Sequence, residues 1–408
     1  MGGSLQQCSE LEAPLVTELL LLATWGGVIF VGIPLATFSL EVLLGLRPSK
    51  MPISTGTAYP AVIIMPAHNE VGVLADTLGQ LVPILPDGVR VLVVADNCTD
   101  QTAEVARTYD VTVIERNDLS KRGKGHALAF GREWLKSSPP DCVIVLDADC
   151  QTDRRSLELL IGVAAERGRP AQASNMFAPD RAAPAKVQIS NFAMWIKNVV
   201  RQRGTQRLGG AANVTGTGMA FPWPIFETLP LATSNIVEDL ELAVQLTRTG
   251  RPPVFLEGAR ITSYAASEAA TLVQRSRWEH GFLSIAKSHS LPTLAGGIRS
   301  LNWQLILLGL HLLVPPLALL LSIAIAVATT TFAAAVWYDV TMPALVIACL
   351  LLLVFCSVFL AWLSGGRRWL SGASMLVVPL YVLWKIPVYL RFAAGRRSEW
   401  VRTDRTPS

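Results

Sequence analysis

The chain has 408 residues, of which 51% are hydrophobic and only 16% are charged, whereas soluble proteins average about 25% charged residues. This composition excludes a wholly soluble protein, but the deficit of charge is local. It falls near the N-terminus and beyond residue 300, while residues 52–300 have the composition of a globular domain. The formal net charge of +4 is too small to indicate a partner made of nucleic acid.

The cysteines indicate the compartment of the central domain. None of the six forms a C-x-x-C pair or lies beside a histidine at zinc spacing. This pattern favours free thiols in a reducing environment, so we expect a cytosolic central domain.

The first predicted element is a membrane-spanning helix over residues 19–40, which carry no charge and reach the length of about 20 residues that a span needs. Residues 1–18 contain three glutamates and no basic residue, unlike a secretory signal. Arg47 and Lys50 follow the apolar run. The positive-inside rule therefore predicts an external N-terminal segment over residues 1–18 and a cytosolic residue 50.

The central segment, residues 52–300, alternates short apolar runs with stretches of helical spacing. Four strands are predicted, at residues 60–65, 91–95, 111–114 and 142–146, and three helices between them, at residues 71–82, 99–108 and 125–135. This alternation indicates a doubly wound parallel sheet, in which ligands bind beyond the carboxyl ends of the strands. Four acids lie just past a predicted strand end: Glu70, Asp96, Asp147 and Asp149.

The Asp147-Ala148-Asp149 triplet predicts a metal site. Carboxylates hold Mg²⁺ or Mn²⁺, and such a cation stabilises the negative charge that develops when a diphosphate departs. The alternative is a solvated turn. The position after an apolar strand and downstream of Asp96 favours the metal.

A basic loop, residues 121–126, precedes the third predicted helix. It has three cations and two glycines, and both a lysine ammonium and the N–H groups of a helix start favour phosphate. The alternative is an ordinary basic surface loop. His126 is interpreted as a residue of the helix start.

Two further patches complete the predicted chemistry. Transfer to a hydroxyl requires a base, and Glu238-Asp239 supplies two acids at the start of a predicted helix, although acids also stabilise helix N-termini on their own. Residues 274–278, Gln-Arg-Ser-Arg-Trp, open an amphipathic segment. Arg277 could bind a diphosphate and Trp278 could stack on a sugar ring; the alternative is an interfacial helix with an Arg/Trp anchor.

The last third of the chain predicts further membrane segments. We expect one helix over residues 303–328, kinked at Pro315-Pro316, then an external loop, then a second helix over residues 342–363. An interfacial or re-entrant segment is predicted over residues 369–392, with a basic cytosolic tail over residues 393–408. If residues 369–384 spanned instead, six following cations would face outward, against the positive-inside rule.

The ordered set D, D-x-D, E-D and Q-x-x-R-W resembles the inverting family-2 glycosyltransferases of the membrane-bound cellulose, hyaluronan and chitin-oligosaccharide synthase type. The resemblance covers residues 61–281, the flanking membrane topology and the tail residues 400–403. It implies an α/β GT-A nucleotide-binding sandwich domain with flanking transmembrane α-helices, and a hexosyltransferase of EC class 2.4.

The resemblance also implies roles for individual residues. The nucleotide would lie against Ala67, His68, Asn69, Glu70, Asp96, Lys124 and Asp147, with Lys124 near the diphosphate. The metal would be held by Asp149 with Asp147, and Asp239 beside Glu238 would be the general base. The acceptor loop would be Gly216, Thr217, Gly218 and Met219, and the lid Gln274, Arg277 and Trp278. The sequence departs from the family in two places. Val237 stands where many members have Thr, which affects how the acceptor is positioned. Residues 95–97 contain one aspartate where many relatives have two, which affects the uracil contacts.

The expected function is transfer of a sugar from a UDP-sugar, with Mg²⁺ or Mn²⁺, to a lipid-linked or growing glycan in exopolysaccharide biosynthesis. The alternatives are a processive polysaccharide synthase and a ceramide or glycolipid glucosyltransferase-like enzyme. A membrane scaffold with an inactive transferase domain is disfavoured because every catalytic group is present. We expect a bacterial inner-membrane protein in contact with membrane lipids, with the choice between monomer and homo-oligomer open.

Overall fold

The structure, a computed structural model, describes residues 3–49, 59–232, 238–263 and 268–393. Eight strands form one sheet in the order β3-β2-β1-β4-β7-β6-β8-β5. Their bounds are β1 Ala61–Ala67, β2 Val89–Asp96, β3 Thr112–Arg116, β4 Cys142–Val145, β5 Cys150–Thr152, β6 Ala171–Phe177, β7 Met219–Pro222 and β8 Val254–Ser263.

The first four strands pair in parallel, as the sequence predicts. In β1, Val62 and Ile64 pack into the core on one face of the sheet, while Ile63 and Met65 pack into the core on the other. Both faces are covered by helices, which is why the strand is a continuous apolar run instead of an alternating one.

The other half of the sheet differs from the predicted all-parallel arrangement. β7 runs antiparallel to both β4 and β6, and β5 runs antiparallel to β8. The sheet is therefore mixed, because these later strands enter it without the regular strand–helix–strand crossovers of the first half.

Fifteen helices accompany the sheet in the described residues. Those of the first 250 residues are α1 Gly3–Gly45, α2 Val71–Leu81, α3 Thr102–Arg107, α4 Lys124–Leu135, α5 Arg154–Ile161, α6 Ala185–Trp195, α7 Gln202–Arg207, α8 Trp223–Phe226 and α9 Glu238–Arg248. The remainder are α10 Glu268–Arg299, α11 Trp303–Leu312, α12 Leu317–Tyr338, α13 Thr341–Ser364, α14 Gly372–Met375 and α15 Val378–Ala393. Short 3₁₀ turns occupy Val82–Ile84 and Gly366–Arg368, and π-helical segments occupy Gly162–Glu166 and Ile196–Arg201.

Three of these helices are long and apolar enough to cross a membrane: Thr17–Gly45 within α1, Leu317–Tyr338 and Thr341–Ser364. The single kinked helix predicted over residues 303–328 is wrong. The chain breaks between α11 and α12, where Pro315 and Pro316 lack the backbone N–H that would continue a helix.

The boundaries beyond this break also differ from the prediction. α12 continues to Tyr338, so residues expected in an external loop are helical, and Asp339 ends the helix in a left-handed conformation with φ 55°. The predicted interfacial segment contains α14 and α15. Residues 394–408, most of the predicted basic tail, lie outside the described residues.

Backbone contact joins α1 to the central domain. A Cβ on Gly204 of α7 would lie 1.8 Å from the Glu41 carbonyl oxygen, and one on Gly45 would lie 1.9 Å from the Val200 carbonyl oxygen. Only glycine permits so close an approach at either position.

A buried polar network crosses the same contact. Arg201 Nε donates to Glu41 Oε2 at 2.6 Å, and His311 Nδ1 of α11 lies 2.7 Å from Glu41 Oε1. The other ring nitrogen of His311 contacts the side-chain amide of Asn213. The network thus ties α1 and α11 to the segment that leads into Gly216.

Candidate active site at the carboxyl edge of the sheet

The candidate site lies where several strands end at one edge of the sheet. β1 ends at Ala67, β2 at Asp96, and β4 two residues before Asp147. These three strands are parallel, so their carboxyl ends meet. β6 runs in the direction of β4, because each is antiparallel to β7, and its last residue, Phe177, therefore lies at this edge too.

The Asp96 carboxylate is held from several sides. It is 6% exposed, and Arg116 donates to its Oδ1 at 2.6 Å. Asn97 Nδ2 lies 3.1 Å from the same oxygen, and His68 Nδ1 lies 2.7 Å from the Asp96 carbonyl. The sequence analysis missed Arg116, although its position at the end of β3 places it at this edge.

The loops after β1 and β2 are joined by side-chain hydrogen bonds. Asn69, with φ 56°, accepts at Oδ1 from the Thr99 N–H at 2.7 Å. The Glu70 N–H donates to the Thr102 hydroxyl at 2.8 Å, and Glu70 is the N-cap of α2. These contacts hold together the two loops that carry His68, Glu70 and Asp96.

Asp147, Asp149 and Cys150 form a cluster whose possible ligand atoms all lie within 4.8 Å of one another. Asp149 is buried and Asp147 is half-buried. Burial raises the pKa of the Cys150 thiol to about 12. The two carboxylates offer hard oxygen atoms, which Mg²⁺ and Mn²⁺ prefer over the soft sulfur of a cysteine.

Lys124 connects the cluster to the predicted acceptor loop. Its Nζ donates to Asp147 Oδ1 and, at 2.7 Å, to the Gly216 carbonyl. The Asp147 N–H donates to the Thr217 hydroxyl at 3.1 Å. Met219 starts β7 and is buried, so the loop is fixed at both ends.

Asp239 lies on the other side of the same loop. A Cβ on Gly216 would lie 3.4 Å from Asp239 Oδ2 and 3.7 Å from Lys124 Nζ. Burial raises the pKa of the Asp239 carboxyl, while hydrogen bonding from the Leu240 N–H and the charges of Lys197 and Lys124 oppose the shift. Glu238 lies in the first turn of α9, and its side chain is outside the described residues.

The predicted lid residues lie at the start of α10. Gln274 is buried, whereas Arg277 and Trp278 are half-buried. The Trp278 ring centroid lies 6.4 Å from that of Phe177, which places this part of α10 beside the edge of the sheet where β6 ends.

Arg275, which the sequence analysis did not single out, anchors this helix. Its guanidinium donates to the Ser190 carbonyl at 2.6 Å, the Ser190 hydroxyl at 2.7 Å and Asn191 Oδ1 at 2.7 Å. Burial lowers the pKa of Arg275 to about 10, so it stays charged at neutral pH. Arg275 therefore fixes α10 on α6, and its two neighbours Gln274 and Ser276 are placed by that contact.

Comparison with known proteins agrees with this arrangement. A family model described as "Glycosyltransferase like family 2" matches residues 60–281, more than half of the chain. The chain is 25% identical over 229 residues to the probable glycosyltransferase YdaM of Bacillus subtilis, covering 54% of each protein. It is 28% identical over 149 residues to the glycosyltransferase AglD of Haloferax volcanii, covering 34% of this chain and 23% of that protein. The matched part thus spans about half and about a quarter of these two relatives.

One solved structure resembles nearly the whole chain. The mannosyltransferase PcManGT from Pyrobaculum calidifontis, in complex with GDP-Man and Mn²⁺, has a TM-score of 0.54 at 19% identity and covers 91% of this chain and 99% of its own. At this identity the likeness shows the fold. The predicted GT-A domain with flanking apolar helices is confirmed.

Proposed function

Because this chain belongs to glycosyltransferase family 2, we propose that it is an inverting transferase that moves a sugar from a nucleotide diphosphate to a glycan acceptor. One observation carries the proposal. The carboxylate pair, a lysine and a third aspartate surround one loop: Lys124 contacts both Asp147 and Gly216, and Asp239 lies across Gly216 from Lys124.

The donor half comprises the residues at the ends of β1, β2 and β4. His68, Glu70 and Asp96 would hold the nucleoside, for which we propose uridine, and Lys124 would approach the diphosphate. Asp149 and Asp147 would hold Mg²⁺ or Mn²⁺, which when bound neutralises charge on the departing diphosphate. The short contact of Lys124 with Asp147 supports a shared role in holding anionic donor and cation together.

The acceptor half is built around Asp239. Its carboxylate would take the proton of an acceptor hydroxyl as that oxygen bonds to the anomeric carbon. The bond from this carbon to the diphosphate oxygen breaks, and its electron pair leaves with the nucleotide. Attack from the opposite face inverts the configuration in one displacement, with Arg277 and Trp278 over the reacting groups.

The acceptor is proposed to be lipid-linked, and the pathway to be the synthesis of a cell-surface polysaccharide. Three candidate spans are few to enclose a polymer channel, which favours single addition over the processive synthase of the cellulose type. A glycolipid glucosyltransferase shares the motifs and is the competing assignment. Arg47 and Lys50 after the first span support a cytosolic catalytic domain at a bacterial inner membrane.

The test is incorporation from a panel of radiolabelled UDP- and GDP-sugars into membranes that contain the full chain, with products separated into lipid and polymer fractions. We expect label from one UDP-sugar in the lipid fraction, lost in Asp149→Asn and in excess chelator and restored by Mn²⁺ or Mg²⁺. Labelled polymer would favour the processive alternative. Full activity in chelator would remove the metal role of Asp147 and Asp149, and no incorporation above that of Asp149→Asn would overturn the proposed function.

A further inference from the structure

A second cavity, of about 610 Å³, opens at the opposite edge of the sheet from the candidate active site. It is lined by the residues that follow α1, by residues around the first π-helical segment, by α7 and by the start of β8. Val254 begins β8, which is parallel to β6, and it pairs with Ala171, the first residue of β6. The cavity therefore lies at the amino ends of these strands, away from Asp147 and Asp239.

Four arginines line this cavity: Arg47, Arg167, Arg169 and Arg207. None of the four forms an ion pair with another residue that the structure describes. Glu257 is the one acid among the described lining residues. Its carboxylate is already neutralised by Arg203, with Nε to Oε2 at 2.7 Å, and also accepts from the Ser49 N–H. The lining thus has an unbalanced positive charge.

Two of the arginines are oriented by backbone carbonyls. Arg207 donates to the carbonyls of Leu44, Arg47 and Pro48, the last residues of α1 and the turn after it. Arg169 donates to the Pro252 carbonyl at 3.3 Å. Guanidinium groups fixed in this way present a planar donor set that matches the oxygen atoms of a phosphate.

The position along α1 favours a lipid as the source of the phosphate. The candidate span ends at Gly45, and Arg47 is two residues beyond it. A helix that spans the bilayer up to Gly45 would place Arg47 among the lipid headgroups. Trp303 lies beside the end of α7: its indole N–H donates to the Leu208 carbonyl at 2.7 Å, and its ring is largely exposed. Tryptophan and arginine in this combination are typical of a membrane interface.

We propose that this cavity binds the phosphate headgroup of an anionic membrane phospholipid. A bound headgroup would bridge Arg47, just after α1, to the catalytic domain, through Arg167, Arg169 and Arg207 of α7. This site is independent of the sugar-transfer reaction, since it shares no residue with the candidate active site.

The experiment measures lipid binding by native mass spectrometry of the full chain in neutral detergent, titrated with phosphatidylglycerol or phosphatidylcholine. We expect the wild-type protein to bind phosphatidylglycerol more tightly than phosphatidylcholine. The Arg167→Gln/Arg169→Gln variant should weaken phosphatidylglycerol binding by about 30-fold, since each basic residue near an anionic lipid contributes about 1 kcal/mol. Arg90→Gln/Arg155→Gln removes two exposed arginines outside the cavity and should leave binding unchanged.

Two further variants and a soluble competitor separate the possible outcomes of the experiment. Arg167→Lys/Arg169→Lys keeps the charge and should restore most of the affinity. Arg47→Gln, an exposed change that breaks no described side-chain hydrogen bond, should weaken binding even if the double variant unfolds. Equal binding of the two lipids would overturn the proposal. Unchanged binding in both Arg47→Gln and Arg167→Gln/Arg169→Gln would also overturn it. Displacement of the lipid by an equal concentration of glycerol 1-phosphate would reassign the cavity to a soluble phosphate ester.

Discussion

Asp239 and Asp96 show how neighbours decide what a carboxylate can do. Asp96 is paired with Arg116 at 2.6 Å and is fixed as an acceptor of hydrogen bonds. No ion pair joins Asp239 to another described residue, and burial raises its pKa. A carboxylate with a raised pKa accepts a proton more readily, which suits Asp239 to the role of base.

Replacing Asp239 with asparagine should lower the turnover of bound substrate by about 10²–10⁴, the range for loss of a general base. Affinity for the nucleotide sugar should stay within a few-fold, because the proposed donor contacts lie at the ends of β1, β2 and β4, whereas Asp239 lies on α9. Donor titration and single-turnover rates measure the two effects separately. Glu227→Gln, an exposed acid outside the site, is the control. Lost affinity with retained turnover would make Asp239 a binding residue.

The same pKa shift predicts the pH dependence of the rate. The base acts deprotonated, so turnover should fall as the pH decreases through the raised pKa of Asp239. This acid limb should lie above 3.8, the ordinary value for aspartate. The residual rate of Asp239→Asn should lack the limb. A limb at the ordinary value, or one unchanged in the variant, would assign it to another group.

Gly218→Ala should unfold more easily and transfer sugar more slowly than the wild type. Gly218 has φ +65°, and a Cβ there would lie 2.4 Å from Ile261 Cγ1. Gly250→Ala is the matched control, with φ +72° and open space around the Cβ. Left-handed strain costs each about 1–2 kcal/mol, and overpacking adds about 1–3 kcal/mol for Gly218 alone. Thermal unfolding in detergent compares the stability of the two variants. Equal losses of stability in Gly218→Ala and Gly250→Ala would contradict the predicted crowding at Gly218.

At the scale of elements, the first half of the sheet could be predicted from the sequence and the second half could not. β1, β2 and β4 are apolar, β-branched runs that end at polar loops, so their extents follow from local pattern. β5 has three residues, and β6 contains Gln172, Ser174 and Asn175. Their assignment depends on pairing with β8, which is distant in sequence.

Some residues of the candidate site could likewise be predicted from the sequence, and others could not. The acids were found because each follows a strand or starts a helix. Arg116 and Arg275 were missed because their partners, Asp96 and Ser190, are 20 and 85 residues away. Such contacts are set by the tertiary fold, and local spacing does not encode them.

The start of α10 gives a prediction about the acceptor. Trp278→Ala should lower transfer to acceptor more than it lowers donor hydrolysis, because only the acceptor ring needs an aromatic surface. Arg277→Lys keeps its charge but loses the planar donor set, so it should slow both. Measuring nucleotide release with and without acceptor separates the rate of transfer from the rate of donor hydrolysis in each variant. Equal effects of Trp278→Ala on the two rates would favour a membrane anchor at this helix.

At the scale of the whole molecule, a buried ion pair between Glu41 and Arg201 joins α1, which contains a candidate membrane span, to the catalytic domain. Arg201→Met leaves Glu41 buried without its cation and should destabilise the protein by about 3–5 kcal/mol. Glu41→Leu combined with Arg201→Met should recover much of this loss, since no buried charge is stranded. Denaturant unfolding in detergent measures both. Arg107→Gln, which breaks the exposed pair with Glu115, should cost less than about 1 kcal/mol.

If the double variant is no more stable than Arg201→Met, the network contributes through its hydrogen bonds instead of its charge balance. The contact of His311 with Asn213 would then be the important one.

Membrane orientation is testable with cysteine labelling in intact cells. With the other cysteines replaced by serine, Cys8 should react with an impermeant maleimide, because we expect residues 1–18 outside. Ser408→Cys in a cysteine-free background should react only after the membrane is permeabilised. A tail labelled from outside would convert residues 369–384 into a membrane span.

Two glycines fix the spacing between the catalytic domain and α1, which contains a candidate membrane span. At Gly45 and Gly204, backbone faces backbone across α1 and α7, so no side chain can lengthen or shorten the spacing by changing rotamer. If the acceptor is lipid-linked, as we propose, a catalytic domain held at one spacing from α1 should favour acceptors of one stem length. Acceptor length would then be a selected property alongside acceptor chemistry.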